Sequence, residues 1–542
     1  MPVQFDPRDE AAAALLNDLH LWRLRAIERV ELSRAFWSER DREIHVQPLY
    51  EKLSAESKNG TDLLSCILAL KNTRNGTVDL VLPITELPKL PLLDLTINVD
   101  GTHVHRASRD EGARIQAISL IRLIKDAGIE FPDNLPLARF VDLLTFVFYA
   151  PTHIYEKTFQ GYKTSHYFTS GTSLLNTQFT YLRNDFGNTH DDKKCLLPDW
   201  EEQYTSWQQS ARRIRAIAGE YVRSDPFSST QHPIISLPYL LQELKHRREA
   251  SGSGWTPKAP EVTALLTYLA DLLESLHEEP SDKNDQILRN YFAYGYRWVA
   301  FARCRIPLDK SFIISVRERR AIYFTPDWQK RRLSPKEQIQ KTAWQMVAFS
   351  DAETNHVNIH VSDTAVRLGK PTVHNELGQS LTPRRADRRK WLAEGGPGRI
   401  DDERNTFEFY FRQDSQRGRP PRIYIRCPLR LTRVHSWTLY LTMGITLFGI
   451  MLLVNRGWSE IHSVLQPTSG QQVPEVDNNL TAKDATLILV PVAFAASFLL
   501  TRDTSTLSAW IRRIRQSILL IELFALLAIA FVLILVHHIR IG

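Results

Sequence analysis

Apolar positions along this chain follow three regimes. They have helical spacing with charges between them in the N-terminal half, alternate from about Tyr296, and form nearly unbroken runs at the C-terminal end. Those runs are residues 437–454, 485–500 and 517–536. A spanning helix needs about 20 mostly apolar residues. The first run, WTLYLTMGITLFGIMLLV, has no charge, and the third, SILLIELFALLAIAFVLILV, has one, Glu522. The second is shorter and carries Pro491, so a re-entrant or interfacial segment stands beside a full span as its reading. Trp437 and Trp458 bracket the first run as interfacial aromatics do. The pattern predicts three C-terminal transmembrane helices.

Upstream, residues 7–43 place Leu15, Leu16, Leu19, Trp22, Leu24, Ile27 and Val30 at helical spacing, which predicts a highly charged helix. Strand-like stretches follow at 78–83 and 92–99. The second runs through Asp100-Gly101 into residues 103–107. Asp-Gly between alternating runs predicts a hairpin, because a type I′ turn needs positive φ at both central residues. Ser108-Arg109-Asp110-Glu111 reads as a capping box opening a helix with Ile115, Ile118, Ile121 and Ile124 inward and Gly128 at its stop. Further helices are expected over 137–149, 200–222, 239–249 and 261–278, whereas residues 159–182 show no deciding period. The Ser/Gly/Pro stretch 250–260 reads as a linker.

Beyond Tyr296 the period is two. Residues 299–306, 312–317, 321–324 and 342–349 read as strands. His356, Asn358 and His360 alternate with Val357, Ile359 and Val361. Phe407, Phe409 and Phe411 alternate with Glu408, Tyr410 and Arg412, and Ile423 and Ile425 with Arg422, Tyr424 and Arg426. Seven or more short strands with one apolar face predict an antiparallel β-sandwich. The expected class is α+β multidomain. It comprises a mixed helical and strand domain over 1–250, a linker and helical segment over 251–295, a β-sandwich-like basic domain over 296–433 and a transmembrane region over 436–542.

Charge adds direction to this layout. Arg417, Arg419, Arg422, Arg426, Arg430 and Arg433 precede the first run, and Arg502, Arg512, Arg513 and Arg515 connect the second to the third. The intervening loop carries Arg456, with Lys483 at its edge, and the tail carries Arg540. By the positive-inside rule this alternation places the N-terminal region in the cytoplasm and the C-terminal tail outside. The acidic start of the chain does not read as a signal peptide. Four scattered cysteines without a CxxC pair suit a reducing compartment. Residues 301–435 hold 27 Lys/Arg against 15 Asp/Glu, a balance of +12 in a chain of net charge +7. The clusters Arg317/Arg319/Arg320, Lys330/Arg331/Arg332 and Arg384/Arg385/Arg388/Arg389/Lys390 are the expected membrane-surface residues, attracted to anionic lipid of the inner leaflet. The same charge on a solvated face with no partner is the competing account. Nucleic acid is disfavoured because no recognition motif accompanies the charge.

Candidate chemistry is sparse. The chain carries no P-loop, GxGxxG, HExxH, GxSxG or kinase signature. His103 and His105 would share a strand face but lack a third ligand, so an exposed hairpin is favoured over metal. His356 and His360 on a strand would stand about 13 Å apart, too far for one ion. Residues 351–356 form a polar loop that could bind or merely connect, and His190-Asp191-Asp192 reads as a hydrated turn. Ser170-Gly171-Thr172-Ser173 lacks the context of a nucleophile or phosphate loop. Glu522, an intramembrane polar residue, is expected to reach the interface or Arg515. Catalytic residues remain unassigned, and neither a metal site nor a cofactor is expected.

The run ATLILVPVAFAASFLLTRDT from Ala485, followed by Trp510-Ile511-Arg512-Arg513-Ile514-Arg515, resembles the C-terminus of a group of uncharacterised bacterial membrane proteins of actinobacterial type. The resemblance covers roughly the last 240 residues, in which a strand-rich module with an acidic-polar-His-apolar segment, here residues 351–361, precedes a few membrane helices. It implies an architecture and no activity. The leading expectation is a membrane-anchored cytosolic binding, scaffold or signalling protein with a protein partner or a second copy of itself. The alternatives are a membrane-tethered enzyme with its site in the N-terminal domain, near His103, His105 or His190, and a small transport or channel component.

Overall fold

The computed structural model describes residues 5–35, 37–55, 58–70, 76–89, 92–149, 198–222, 259–324, 342–348, 351–375, 380, 399–401, 405–412, 422–465, 489–496 and 505–541. Helix α1 (Pro7–Asn17) is capped by Asp6, whose carboxylate accepts from the Arg8 N–H at 2.9 Å. It buries an alanine- and leucine-rich stretch, and the single turn α2 (Leu19–Trp22) follows. The predicted helix over 7–43 stops there. Residues beyond it form the hairpin β1 (Arg23–Leu32) and β2 (Trp37–Val46). Both strands alternate strictly over most of their length, but several inward positions are charged: Arg23 and Glu28 on β1, Arg40 and Arg42 on β2. The period of two is therefore invisible to an apolar count, and the leftover Leu24, Ile27 and Val30 imitate a helix.

Elements α3 (Leu49–Ala55), α4 (Lys58–Leu68) and β3 (Thr77–Pro88) lead to β4 (Asp94–Val99) and the short β5 (Thr102–His103). Asp100 and Gly101 between them have φ of 50° and 77°, the type I′ geometry that the sequence demands. After β6 (His105–Arg106), helix α5 (Arg109–Asp126) begins with the Ser108 hydroxyl accepting from the Glu111 N–H at 3.1 Å, and Gly128 follows its end at φ 84°. The capping box is incomplete, because the Glu111 carboxylate instead takes both arms of Arg303 at 3.1 and 2.8 Å. Helices α6 (Leu137–Tyr149), α7 (Pro198–Val222), α8 (Ala259–Glu278) and α9 (Asp282–Tyr296) complete a helical layer. The strands then run β7 (Arg297–Pro307), β8 (Phe312–Ala321), β9 (Thr342–Ala348), β10 (Thr354–Val361), β11 (Val366–Leu368), β12 (Thr372–Asn375), β13 (Arg399–Asp401), β14 (Thr406–Arg412) and β15 (Arg422–Leu431).

One eight-stranded sheet has the order β13-β14-β10-β1-β2-β8-β4-β5. Its β1–β10 pair is parallel, with Val30 opposite Ile359, so the sheet is mixed rather than antiparallel. Hydrogen bonding also crosses the boundaries at residues 250 and 296, since β2 pairs with β8 and β1 with β10. The expected self-contained antiparallel sandwich over 296–433 therefore gives way to a sheet assembled from both ends of the chain. Its inner face is covered twice. The three-stranded sheet β3-β7-β6 packs against β2, β4 and β8 through Ile44, Leu82, Ile97, Ala302 and Ile314. The smaller sheet of β9, β11, β12 and β15 packs against β1, β10 and β14 through Val30, Ile359, Phe409, Ile425 and Leu429. The helical layer covers the far side of β3 and β7. Gly112 lets α5 lie against β7, for a Cβ there would stand 3.1 Å from the Phe301 ring.

Strand β15 passes almost directly into helix α10 (Arg433–Leu465), and the chain ends in helix α11 (Thr506–Ile541). Two helices among the described residues, not three, are long and apolar enough to cross a membrane. Their windows are Ser436–Asn455, of mean hydropathy 1.9, and Gln516–Leu533, of mean hydropathy 2.4. Of the predicted middle span only residues 489–496 are described, and they are helical. Ala495 packs with Leu519, and Val492 lies against Leu453 and Leu526.

Candidate functional site

The most unusual chemistry in the body lies along the seam where the two smaller sheets meet over the large one. On β2 the inward series runs Ser38, Arg40, Arg42, Ile44, Val46, passing from polar to apolar. On β8, Phe312, Ile314 and Val316 enter the apolar core, while the next inward residues are Glu318 and Arg320. The strands thus deliver a line of charges to a place where neither core reaches.

Asp351, just before β10, anchors one end. Arg23 donates to its Oδ2 at 2.8 Å and Arg42 donates to the same oxygen. Arg23 also donates to the carbonyls of Pro83 and Ile84 at 2.5 and 3.2 Å, and Arg42 to the Thr85 hydroxyl at 3.0 Å. Arg40 lies between Glu28 at 2.8 Å and Glu318 at 3.9 Å and donates to the Met346 carbonyl, while Arg320 meets Glu318 at 3.0 Å. Farther along, Arg422 forms a fork on Glu86, both contacts at 2.5 Å, and Arg297 donates to the buried Tyr424 hydroxyl.

Burial lowers the Arg23 and Arg320 guanidiniums to about 10, with Asp351 and Glu318 opposing the shift. Both stay charged at neutral pH. Burial alone would raise the Glu86 carboxyl, but Arg422, Arg297 and Arg42 hold it below its ordinary range. The seam therefore contains six guanidiniums (Arg23, Arg40, Arg42, Arg297, Arg320 and Arg422) and four carboxylates (Glu28, Glu86, Glu318 and Asp351). Desolvation makes such a network costly, and bidentate pairs and carbonyl acceptors recover the loss only in one geometry. Its chemistry suits fixing the register of three sheets. A signal for it was present in the strict alternation of 38–46, read with arginine counted as an inward residue.

The sequence-predicted residues are dispersed. Arg317 and Arg319 are exposed on the outer face of the large sheet. There Arg319 pairs with Glu39 at 2.9 Å, and Arg317 lies 3.7 and 3.6 Å from Glu39 and Asp41. Arg320 is only 4% exposed and belongs to the seam, because successive strand residues face opposite ways. Lys330, Arg331, Arg332, Arg384, Arg385, Arg388, Arg389 and Lys390 lie outside the described residues, as do His190-Asp191-Asp192 and Ser170–Ser173. Of residues 351–356, Asp351 is buried in the seam, Glu353 pairs with Lys52, and 354–356 already belong to β10. His103 and His105 belong to different sheets, with ring centroids 6.1 Å apart, and both are exposed. His356 and His360 lie on the outer face of β10, where His356 meets Tyr410 edge-on. Among the described residues no group of three His, Cys, Asp or Glu side chains is arranged to hold an ion. Glu522 sits on α11 with its Oε2 buried and without a hydrogen-bond partner, and the Arg515 side chain lies outside the described residues.

A polar groove of about 380 Å³ opens beside α1 and the start of α5. Its charges neutralise one another: Arg114 with Asp9, Arg303 with Glu111 and Arg305 with Asp79, each at 2.8 Å. Cys304 lines it, but burial first and Asp79 second push the thiol up to about 12, which removes the thiolate a nucleophile needs. Comparison with known proteins gives no match among family models, curated proteins or solved structures.

Proposed function

We propose that this chain is a membrane-anchored binding or scaffold protein whose β-rich body is held against the inner leaflet. The observation that carries this reading is how the apolar helices are rooted. Only 24% and 17% of the two windows are buried, which is unlike core helices of a soluble protein. Trp437, Leu441, Phe448, Met451, Ile521, Phe524 and Phe531 stand exposed on them. Both helices leave the same β layer. The first window opens five residues after Leu431, the end of β15, and the second opens five residues after Ile511, which is packed in that layer's core. Five helical residues span roughly 7.5 Å, so a bilayer around the windows would touch the body. Exposed Arg430 and Arg513 sit beside these exits, where anionic headgroups would meet them.

The absence of a recognised catalytic motif and the self-neutralised groove favour binding over catalysis. Protease treatment of inside-out and right-side-out vesicles tests the reading. Digestion of residues 1–430 in inside-out vesicles only, with carbonate-resistant retention of a C-terminal fragment, is expected. Release of the intact chain by carbonate would overturn it. The buried Oε2 of Glu522 favours a second reading, a small transport component, and Glu522→Gln should then abolish a flux across proteoliposomes.

A further inference from the structure

We propose that the cavity beneath the first turn of α5 binds a doubly charged oxyanion, either phosphate or the phosphoryl group of an ester. The cavity is about 30 Å³ and is lined by Arg106, Ser108, Arg109, Gln116, Trp298 and Arg320, among others. Gly112 creates the setting by letting the helix end close onto β7. Donors predominate among the polar groups around the space; the exception is Glu318, whose two buried oxygens also lack a hydrogen-bond partner. The Gln116 side chain is 1% exposed, and its Nε2 is buried without a hydrogen-bond partner. An unsatisfied buried amide N–H is costly and marks a place where an acceptor belongs. The Arg109 N–H, at the first helical position, precedes Gly112, whose N–H makes the first intrahelical bond to the Ser108 carbonyl, and the positive end of the helix dipole favours an anion there.

Charge points the same way. The Arg109 guanidinium lies 4.0 Å from the Trp298 ring centroid, a stacking that holds it in place. Neither Arg106 nor Arg109 has a carboxylate partner among the described residues. The charge of the one lining acid, Glu318, is offset by Arg320 at 3.0 Å and Arg40 at 3.9 Å. Two uncompensated cations match a dianion better than a single carboxylate. The space takes about two water-sized groups, enough for two oxygens of a tetrahedral oxyanion whose remainder occupies the mouth. An ester would therefore enter phosphoryl-first.

The test uses purified full-length protein in detergent and inorganic phosphate as the probe, with acetate and chloride at matched ionic strength. Phosphate should raise the unfolding temperature saturably, and acetate and chloride should not. R106A/R109A removes two exposed side chains and should weaken phosphate affinity by about tenfold or more. Q116L should weaken it several-fold, with its phosphate-free unfolding temperature as the folding control. Stabilisation by phosphate no better than by chloride, or unchanged affinity in R106A/R109A, overturns the site. Nanodiscs of phosphatidylcholine with and without phosphatidate identify the source. Displacement of bound phosphate by phosphatidate assigns a lipid headgroup, and its absence assigns a soluble ester. Because the titration is done in detergent, its outcome is independent of membrane topology.

Discussion

Asp351 is the residue on which the seam turns. One carboxylate oxygen serves two arginines that are 1% and 2% exposed at the side chain. Removing it leaves two cations facing each other in a space that water does not reach. Asp351→Ala is expected to destabilise the body by about 3–5 kcal/mol, the range for breaking a buried pair from one side, read as a lowered midpoint of thermal unfolding. Replacing a seam pair together by apolar residues of similar volume should cost far less, because the penalty lies in the orphaned charge. Asp18 offers a contrast. Burial raises its carboxyl from 3.8 to about 6, with Arg122 opposing and Asp126 reinforcing. Between those values the folded chain holds a proton that the unfolded chain has released, so this group's contribution to stability falls as pH rises through the window. Asp18→Asn should flatten the pH dependence of unfolding between about 4 and 6 and stabilise the protein at neutral pH. Glu86 has the opposite sign. Its contribution is complete above the ordinary carboxylate value and is lost as pH falls through its depressed one.

At the scale of elements, the helix α11 joins two environments. Leu507 is fully buried and Ile511 nearly so in the core that β1, β10 and β15 share, and the Trp510 ring lies 3.9 Å from that of Phe324. Ser505 caps the helix, accepting from the Ser508 N–H at 2.9 Å while its hydroxyl bonds Asp363. Ile511→Ala should therefore destabilise the β-rich body by about 2–5 kcal/mol, although by sequence it stands next to a membrane segment; limited proteolysis within residues 342–431 would report it. The alternating period after Tyr296, the Asp100-Gly101 turn and the Ser108 cap were legible because each depends on neighbours in the chain. The hairpin of β1 and β2 was not, since Glu28, Arg40 and Arg42 become inward residues only when partners such as Glu318 and Asp351 arrive from remote strands. Lys89 is a similar case. Its amino group is buried where the carbonyls of Gly295 and Val147, at the ends of α9 and α6, converge on it at 2.8 and 3.5 Å, and burial pushes its pKa well down.

At the scale of the molecule, a body of three sheets and a helical layer stands on two apolar helices that issue from one of its layers. The pattern of apolar runs disclosed the helices. It did not disclose that the body is closed by strands from opposite ends of the chain, because strand partnership leaves no mark on local periodicity. That closure governs how the protein is made. The Leu32 carbonyl accepts from the Ser362 N–H and side chain, 330 positions later. Ribosomes add roughly 5–20 residues per second, so β1 emerges about 15 to 65 seconds before its parallel partner β10 exists. During that interval the hairpin exposes unpaired edges and its arginine-lined face, and the final apolar helix has yet to be synthesised. Slower translation across residues 50–350 is therefore expected to lengthen that exposure and to lower the yield of folded protein.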